Sequence, residues 1–370
     1  MKNVAVFFGG VSCEHDVSVI TGVMTVNAID KTKYNPIPIY VTKDGEWKTD
    51  EKLKDLSIYK TNGYKNFKTV TLLSGDNSLY QVQKSKIKKI GEIYSAVNCM
   101  HGGWGEEGGL YCALKNSKIP CTSSSLFSSS LAMDKEFTKF ALSGIGVKFL
   151  PCVKLDRGNY YLRKETALKL IEKRLEYPVI IKPANLGSSI GIKVAKDKTE
   201  LEKGLNLAFI FDKKVIIESV LHSPREINCA VYKRGGELIV SNLEEPIKDT
   251  ELLTFEDKYL APKQKVFPAE VDEELGEEIK NISAIVYRKL GFSGVIRIDF
   301  LLNGNEIFVN EINAVPGSLA YYLFCKDTEE FSSMVTDIIE ESVDEWKDLS
   351  QNKKTFDSKV LNLSSSKIGK

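Results

Sequence analysis

A chain of 370 residues is too long for one small core, so two or three domains are expected. Its 42% hydrophobic and 27% charged content is that of an ordinary globular protein, and a net charge of +1 leaves no basic footprint for nucleic acid or a membrane surface. Seven cysteines without a CxxC pair argue for reduced thiols in a cytoplasm, and three dispersed histidines argue against zinc.

The start, MKNVAVFFGG, is too short and too strand-like for a signal peptide, and no apolar run reaches the ~20 residues of a membrane helix. Asn3–Phe8 reads as a strand, Gly9–Ser12 as a turn, Glu14–Ile29 as a helix and Pro36–Val41 as a second strand. Such a β–turn–α–β unit implies parallel strands with helices packed on them. Residues 43–90 read as an inserted or peripheral β segment. Ile93–Met100 is a buried strand that runs into HGGWGEEGG at 101–109. So many glycines after a strand suit a mobile or close-approach loop at the sheet edge where α/β sheets bind ligands. Leu110–Ser117 reads as a helix and Ile119–Thr122 as a strand; the first domain is expected to span 1–123.

A central lobe is expected over 124–214. It reads as helices Ser124–Met133 and Asp134–Gly144, strand Phe149–Leu155 and helix Tyr161–Leu175. The run YPVIIKPANLGSSIGI at 177–192 follows. An apolar strand there delivers Lys182 into a Gly/Ser loop. This is not a Walker P-loop, because the lysine precedes the glycines. Backbone N–H groups, the Ser188 and Ser189 hydroxyls and a cation still suit a polyphosphate.

A C-terminal lobe is expected over 215–349, with a polar tail over 350–370. Lys214–Leu221, Arg225–Tyr232 and Glu237–Asn242 read as strands. The polar stretch 247–268, with Phe255 and Tyr259 inside it, reads as an ordered lid. Val271–Leu290 reads as a helix, as does Glu329–Lys347. Between them, GVIRIDFLLNGNEIFVNEINAVPG at 294–317 reads as a β-hairpin. Alternation puts Arg297, Asp299 and Leu301 on one face of its first strand, and Val309, Glu311 and Asn313 on one face of its second. Asp299, Glu311 and Asn313 are oxygen donors suited to Mg²⁺ or Mn²⁺. Beside a metal, Arg297 can hold phosphate or an anionic intermediate. A phosphate loop facing such a hairpin points to a bound metal–nucleotide, with catalysis by positioning and electrostatics.

Five blocks carry a resemblance: GGVSCEHDVS at 9–18, HGGWGEEGG at 101–109, MDK at 133–135, the 177–192 run and RIDFLLNGNEIFVNEINAVPG at 297–317. In this order they resemble the D-alanine–D-alanine ligases of the ATP-grasp superfamily. The resemblance implies an N-terminal parallel-sheet α/β domain followed by a two-lobed α+β ATP-grasp fold. It implies a cytoplasmic, homodimeric enzyme that uses ATP, two Mg²⁺ or Mn²⁺ ions and two D-alanines in peptidoglycan precursor synthesis. By the same resemblance Lys135, Lys182 and Ser189 hold ATP phosphates. Glu218 and Leu221 meet the adenine and Glu226 the ribose. Asp299, Glu311 and Asn313 bind the metals, and Arg297 and the Gly317 N–H stabilise an oxyanion. Glu14 takes the first ammonium with His101 close by, and Lys258 and Tyr259 belong to a lid in which Tyr259 links to Ser188 and Glu14.

Two positions depart from the family pattern. Ser219 follows Glu218 where a lysine is common. Tyr322–Leu323 falls where a Ser-Leu pair meets the second substrate's carboxylate, with Ser318–Leu319 as a nearer Ser-Leu. A ligase of the same fold using D-serine, D-lactate or another amino acid is therefore the first alternative. A nucleotide-binding module without turnover is the second; its mark would be loss of Asp299, Glu311 or Arg297, and all three are present.

Overall fold

Strand β1 (Lys2–Gly9) is apolar from Val4 onward because both of its faces are covered there. Val4, Val6 and Phe8 enter one core, while Ala5 and Phe7 enter another. In the computed structural model, which describes residues 1–247, 265–358 and 361, β1 lies between two parallel neighbours, β2 (Tyr34–Val41) and β7 (Ser95–Asn98). Helix His15–Ala28 packs on the Val4 face and helix Gly109–Asn116 on the other.

The segment 43–90, expected as an inserted or peripheral β segment, forms one edge of this sheet. Its strands β3 (Trp47–Thr49), β4 (Lys68–Leu73), β5 (Asp76–Gln83) and β6 (Lys86–Glu92) continue the same sheet antiparallel, in the order β6-β5-β4-β3-β2-β1-β7. Ile119–Thr122, read as a strand, supplies only a single bridge between Ala96 and Cys121.

A second, antiparallel sheet has the order β10-β9-β11-β8, from β8 (Cys152–Asp156), β9 (Val179–Pro183), β10 (Lys193–Ala195) and β11 (Lys214–Ser219). Phe149 lies outside β8 and bridges to Val309 instead. The expected helix over 161–175 is two, Arg157–Leu162 and Lys164–Arg174. Alternation divides this sheet cleanly. Val179, Ile181, Val215 and Ile217 pack under helices Lys164–Arg174 and Lys198–Phe211, so Lys182 and Glu218 share the opposite face.

The chain passes to a third sheet between Ser219 and Arg225. Strands β12 (Arg225–Arg234), β13 (Glu237–Val240), β16 (Ile296–Asn303) and β17 (Glu306–Asn313) form it in the order β13-β12-β16-β17, all antiparallel. Helix Glu273–Lys289 buries Ile279, Val286 and Tyr287 against one face. The other face carries Glu226, Asn228, Arg297 and Asp299. Two short strands, β14 (Glu245–Pro246) and β15 (Lys265–Val266), pair antiparallel.

The last helix, Thr328–Gln351, returns to the first domain, where Phe331, Val335 and Ile338 join the core of Val4 and Val6. Glu340 fastens it by accepting from the hydroxyls of Tyr34 (2.6 Å) and Tyr94 (2.7 Å).

Candidate active site

The expected hairpin forms, with Gly304 at φ +60° in its turn. Arg297 lies opposite Asn313, and Asp299 opposite Glu311. Strict alternation then fails, because a β-bulge follows Asp299 and pairs Phe300 with Val309. Asn310 is the extra residue. Val309 therefore turns into the core at 1% exposure instead of sharing a face with Glu311. In exchange, two successive side chains, Asn310 and Glu311, both meet lysines from outside the sheet. Asn310 Oδ1 accepts from Lys182 Nζ at 3.1 Å, and Glu311 pairs with Lys135 at 2.8 Å.

Each hairpin carboxylate is held by an internal cation. Arg297 grips Asp299 with Nε (2.6 Å) and Nη2 (2.9 Å), leaving Nη1 turned to the Tyr322 hydroxyl at 3.3 Å. Burial raises the Asp299 carboxyl above its usual range, and Arg297 only partly offsets this. Burial also works against the Lys135 ammonium, but Glu311 outweighs it and the net shift is upward. Lys135 donates in addition to Leu186 O at 2.8 Å, which ties it to the Gly/Ser loop.

These groups line a cleft of about 430 Å³. Among the described residues its walls carry five carboxylates (Glu14, Glu226, Glu244, Asp299 and Glu311) beside the Glu106 carboxyl, but only three cations (Lys135, Lys265 and Arg297). An anionic nucleotide would be repelled from such a surplus unless cations entered with it. With Asp299 and Glu311 side by side and Asn313 beside them, the donor set fits a hard divalent ion.

The loop 101–109 is a close-approach loop with a short helix, Gly103–Glu106. A Cβ at Gly102, where φ is +65°, would stand 2.8 Å from Glu14 Oε2, and one at Gly187 would stand 2.9 Å from the same atom. Glycines thus let two loops close on Glu14, and Ser188 Oγ donates to its carboxylate. Glu106 is 6% exposed, and burial together with nearby Glu14 pushes its carboxyl up to about 8.

Glu218 (1% exposed) is paired with Lys139 at 2.5 Å and Lys182 at 2.6 Å. Burial alone would raise its carboxyl; the two ammonium groups outweigh that and hold it at about 2.

Family models place this arrangement. One described as D-ala D-ala ligase N-terminus matches residues 3–124, and one described as D-ala D-ala ligase C-terminus matches residues 141–344. The chain belongs to the D-alanine–D-alanine ligase family. It is 37% identical over 373 residues to the D-alanine–D-alanine ligase of Thermosipho africanus, covering 98% of this chain and 99% of the relative. The D-alanine–D-alanine ligase structure from Helicobacter pylori superposes with a TM-score of 0.76 at 29% identity, over 92% of this chain and 98% of that one. The VanG D-Ala:D-Ser ligase from Enterococcus faecalis gives 0.78 at 29%, over 92% and 99%. The ATP-grasp expectation for the fold stands.

Of the positions the ligase family implied, Glu14, His101, Lys135, Ser188, Glu226, Arg297, Asp299, Glu311, Asn313, Gly317 and Tyr322 line the one cleft. Lys182 and Glu218 are not among its lining residues; they pair with each other, and Lys182 donates to Asn310, the neighbour of Glu311. Ser189 and Leu221 are half-buried and do not line it. Leu323 is not among the lining residues. At 0% exposure it sits in the core with Val335, so its side chain does not reach the cleft, whereas Ser318 does. His101 lines the cleft, but both ring nitrogens are taken by protein groups, Val315 O at 2.6 Å and Thr21 Oγ1 at 2.8 Å. Lys258, Tyr259 and Phe255 lie outside the described residues.

Sequence reading missed Lys139, Glu106, Thr21 and Asn310. Lys139 was findable, since it follows Lys135 at i+4 and so shares its helix face. Glu106 stood inside the glycine-rich block. Nothing local marked Thr21 on its largely apolar helix, or the bulge at Asn310.

Proposed function

We propose that the protein joins two D-alanines at the expense of ATP, through an acyl phosphate. The observation that carries this is the cleft itself: the Asp299–Glu311 pair, Lys135, and Glu14 with its Ser188 contact all face one space. Glu14 holds the ammonium of the first amino acid, so that its carboxylate faces the nucleotide's end. Lys135 and Lys182 orient the phosphates, with the Gly/Ser loop closing over them, and Glu218 and Glu226 mark the nucleoside side. Asp299, Glu311 and Asn313 would hold two Mg²⁺ or Mn²⁺ ions, which supply charge neutralisation as the γ-phosphoryl moves.

The first amino acid's carboxylate oxygen takes the γ-phosphoryl and ADP leaves. The amine of the second then attacks the acyl carbon. The carbonyl oxygen becomes an oxyanion, met by Arg297 and the Gly317 N–H. Collapse expels phosphate, and the amine's proton goes to solvent or to that phosphate. Arg297 is suited to this because Asp299 fixes two of its nitrogens while Nη1 stays turned to the substrate side. Tyr322, beside Nη1 and under Lys265 Nζ (4.7 Å from its ring centre), stands where the second carboxylate would be met. A phenol can donate the required hydrogen bond.

The same reading includes a cytoplasmic homodimer. It is supported by the exposed apolar side chains Leu126, Phe127, Phe137 and Phe140 on two adjacent helices. Light scattering tests it. The decisive assay is mass spectrometry of products formed from ATP, Mg²⁺ and mixed D- and L-amino acids, with phosphate release. D-alanyl-D-alanine should dominate. A product pairing D-alanine with D-serine or D-lactate would move the assignment to the second pocket's chemistry, and no ATP-dependent condensation would end it.

A further inference from the structure

Residues 318–320 adopt a backbone that their side chains disfavour. Ser318, Leu319 and Ala320 all lie in the left-handed region, with φ of 54°, 50° and 50°. Such a run persists only where its surroundings over-determine it. Two sets of hydrogen bonds do so here. His101 Nδ1 donates to Val315 O at 2.6 Å; a carbonyl only accepts, so the ring proton is on Nδ1 and Nε2 carries the lone pair. Thr21 Oγ1 donates to that nitrogen at 2.8 Å and accepts the N–H of Ser318 at 2.9 Å. Glu106 completes the grip: Oε1 accepts from Val315 N (3.0 Å) and Oε2 from Gly102 N (2.7 Å). Thr21, His101 and Glu106 are 0%, 3% and 6% exposed, so solvent does not compete for these bonds. Gly317 lies between the two pinned residues, Val315 and Ser318, and lines the cleft.

We propose that Thr21, His101 and Glu106 are positioning residues for the acyl-transfer step, a clamp that aims the Gly317 N–H at the developing oxyanion. The proposal rests on the ligase reading above. The clamp acts through the loop, and His101 serves it as a neutral relay between Thr21 and Val315 rather than as an acid or base. Burial holds its imidazolium down at about 4, in keeping with that role.

Thr21→Val keeps the branched shape and removes both bonds. It should lower kcat about a hundredfold, the cost of a small misplacement at a reacting centre, while the KM for ATP and the unfolding temperature stay near the parent's. Thr21→Ser, which retains the hydroxyl, should restore most of the rate. Glu106→Gln keeps the shape but sets an amide N–H₂ against one backbone donor, so kcat should again fall apart from KM; it gives the readout should Thr21→Val not fold. Parental kcat in the folded variants overturns the clamp. So does a loss of kcat, ATP affinity and stability together that Thr21→Ser does not rescue. Arg297→Ala is assayed beside them: an active Arg297→Ala sinks the ligase reading, whereas an inactive one with an unaffected Thr21→Val sinks only the clamp.

Discussion

Glu218 and the Asp299–Glu311 pair are both carboxylates on β-strands beside lysine or arginine, yet one arrangement is closed and the other is open. Glu218 has two ammonium groups for one negative charge and no exposure to speak of, and it is held ionised. Among the described residues, Asp299 is gripped by Arg297 and Glu311 pairs with Lys135. They face a cleft whose walls hold more carboxylates than cations, and burial pushes Asp299 toward its neutral form. The first arrangement has its carboxylate charge matched as folded and fixes Lys182 in place. The second is stable as folded but incomplete in charge, as expected of a site that takes up metal with a polyphosphate.

The largest test of this contrast is activity. Glu311→Ala and Arg297→Ala should fold, the second with a lowered unfolding midpoint because buried Asp299 loses its partner, and both should lose turnover by about 10²–10³-fold or more, through lost transition-state charge stabilisation. For Glu311→Ala, calorimetric titration with Mn²⁺ and nucleotide should also show weaker binding. Near-parental rates in either variant would remove the open site from the chemistry.

The closed site should respond in the opposite sense, in stability. Glu218→Gln leaves Lys139 and Lys182 buried without a counter-charge, which costs about 3–5 kcal/mol. Denaturant unfolding reads this directly. Glu311→Gln should cost much less, because Glu311 is 22% exposed and solvent can take up part of the change. Equal losses in the two variants would erase the distinction between closed and open.

A pH series sharpens the comparison further. Glu218 is held near 2 against an ordinary 4.5, so its contribution is complete above 4.5 and is lost as pH falls from there through about 2. Glu106 is shifted the other way, from 4.5 to about 8. The folded state then keeps a proton that the unfolded chain gives up, so its contribution is complete below 4.5 and is lost as pH rises through about 8. Replacing Glu106 by Gln should flatten stability between pH 5 and 8 and leave the acid limb unchanged. If the slope survives in Glu106→Gln, the upward shift belongs to another group.

Local pattern made much of this legible. The hairpin, its facing carboxylates, the strand that delivers Lys182 and the glycine-rich loops follow from alternation, turn residues and oxygen-donor chemistry. Three things did not follow. Leu323 was placed by counting from Pro316–Gly317, but the left-handed turn at 318–320 redirects the chain and sends that side chain into the core. Thr21 and Glu106 matter through contacts to Val315 and Ser318, hundreds of positions away, which no window of sequence contains.

The bulge is the third kind of failure and gives the smallest predicted effect. Period-two reading assumes one residue opposite one residue, and Asn310 breaks that assumption. Its carboxamide accepts from Lys182, which already has Glu218 as a partner at 2.6 Å. Asn310→Ala therefore removes one of two restraints and leaves the ammonium paired. Nucleotide KM should rise only a few-fold, on the scale of one hydrogen bond worth about 0.5–1.5 kcal/mol, with kcat and stability nearly unchanged. Deleting Asn310 is a different experiment. It restores strict alternation, with Val309 still opposite Phe300 on the core face and Glu311 opposite Asp299 on the cleft face, so what is lost is the carboxamide and the local twist of the bulge. Loss of activity on deletion beside a mild Asn310→Ala would show that the bulge matters for where it aims Glu311. Equal effects would show that the carboxamide itself is what the site uses.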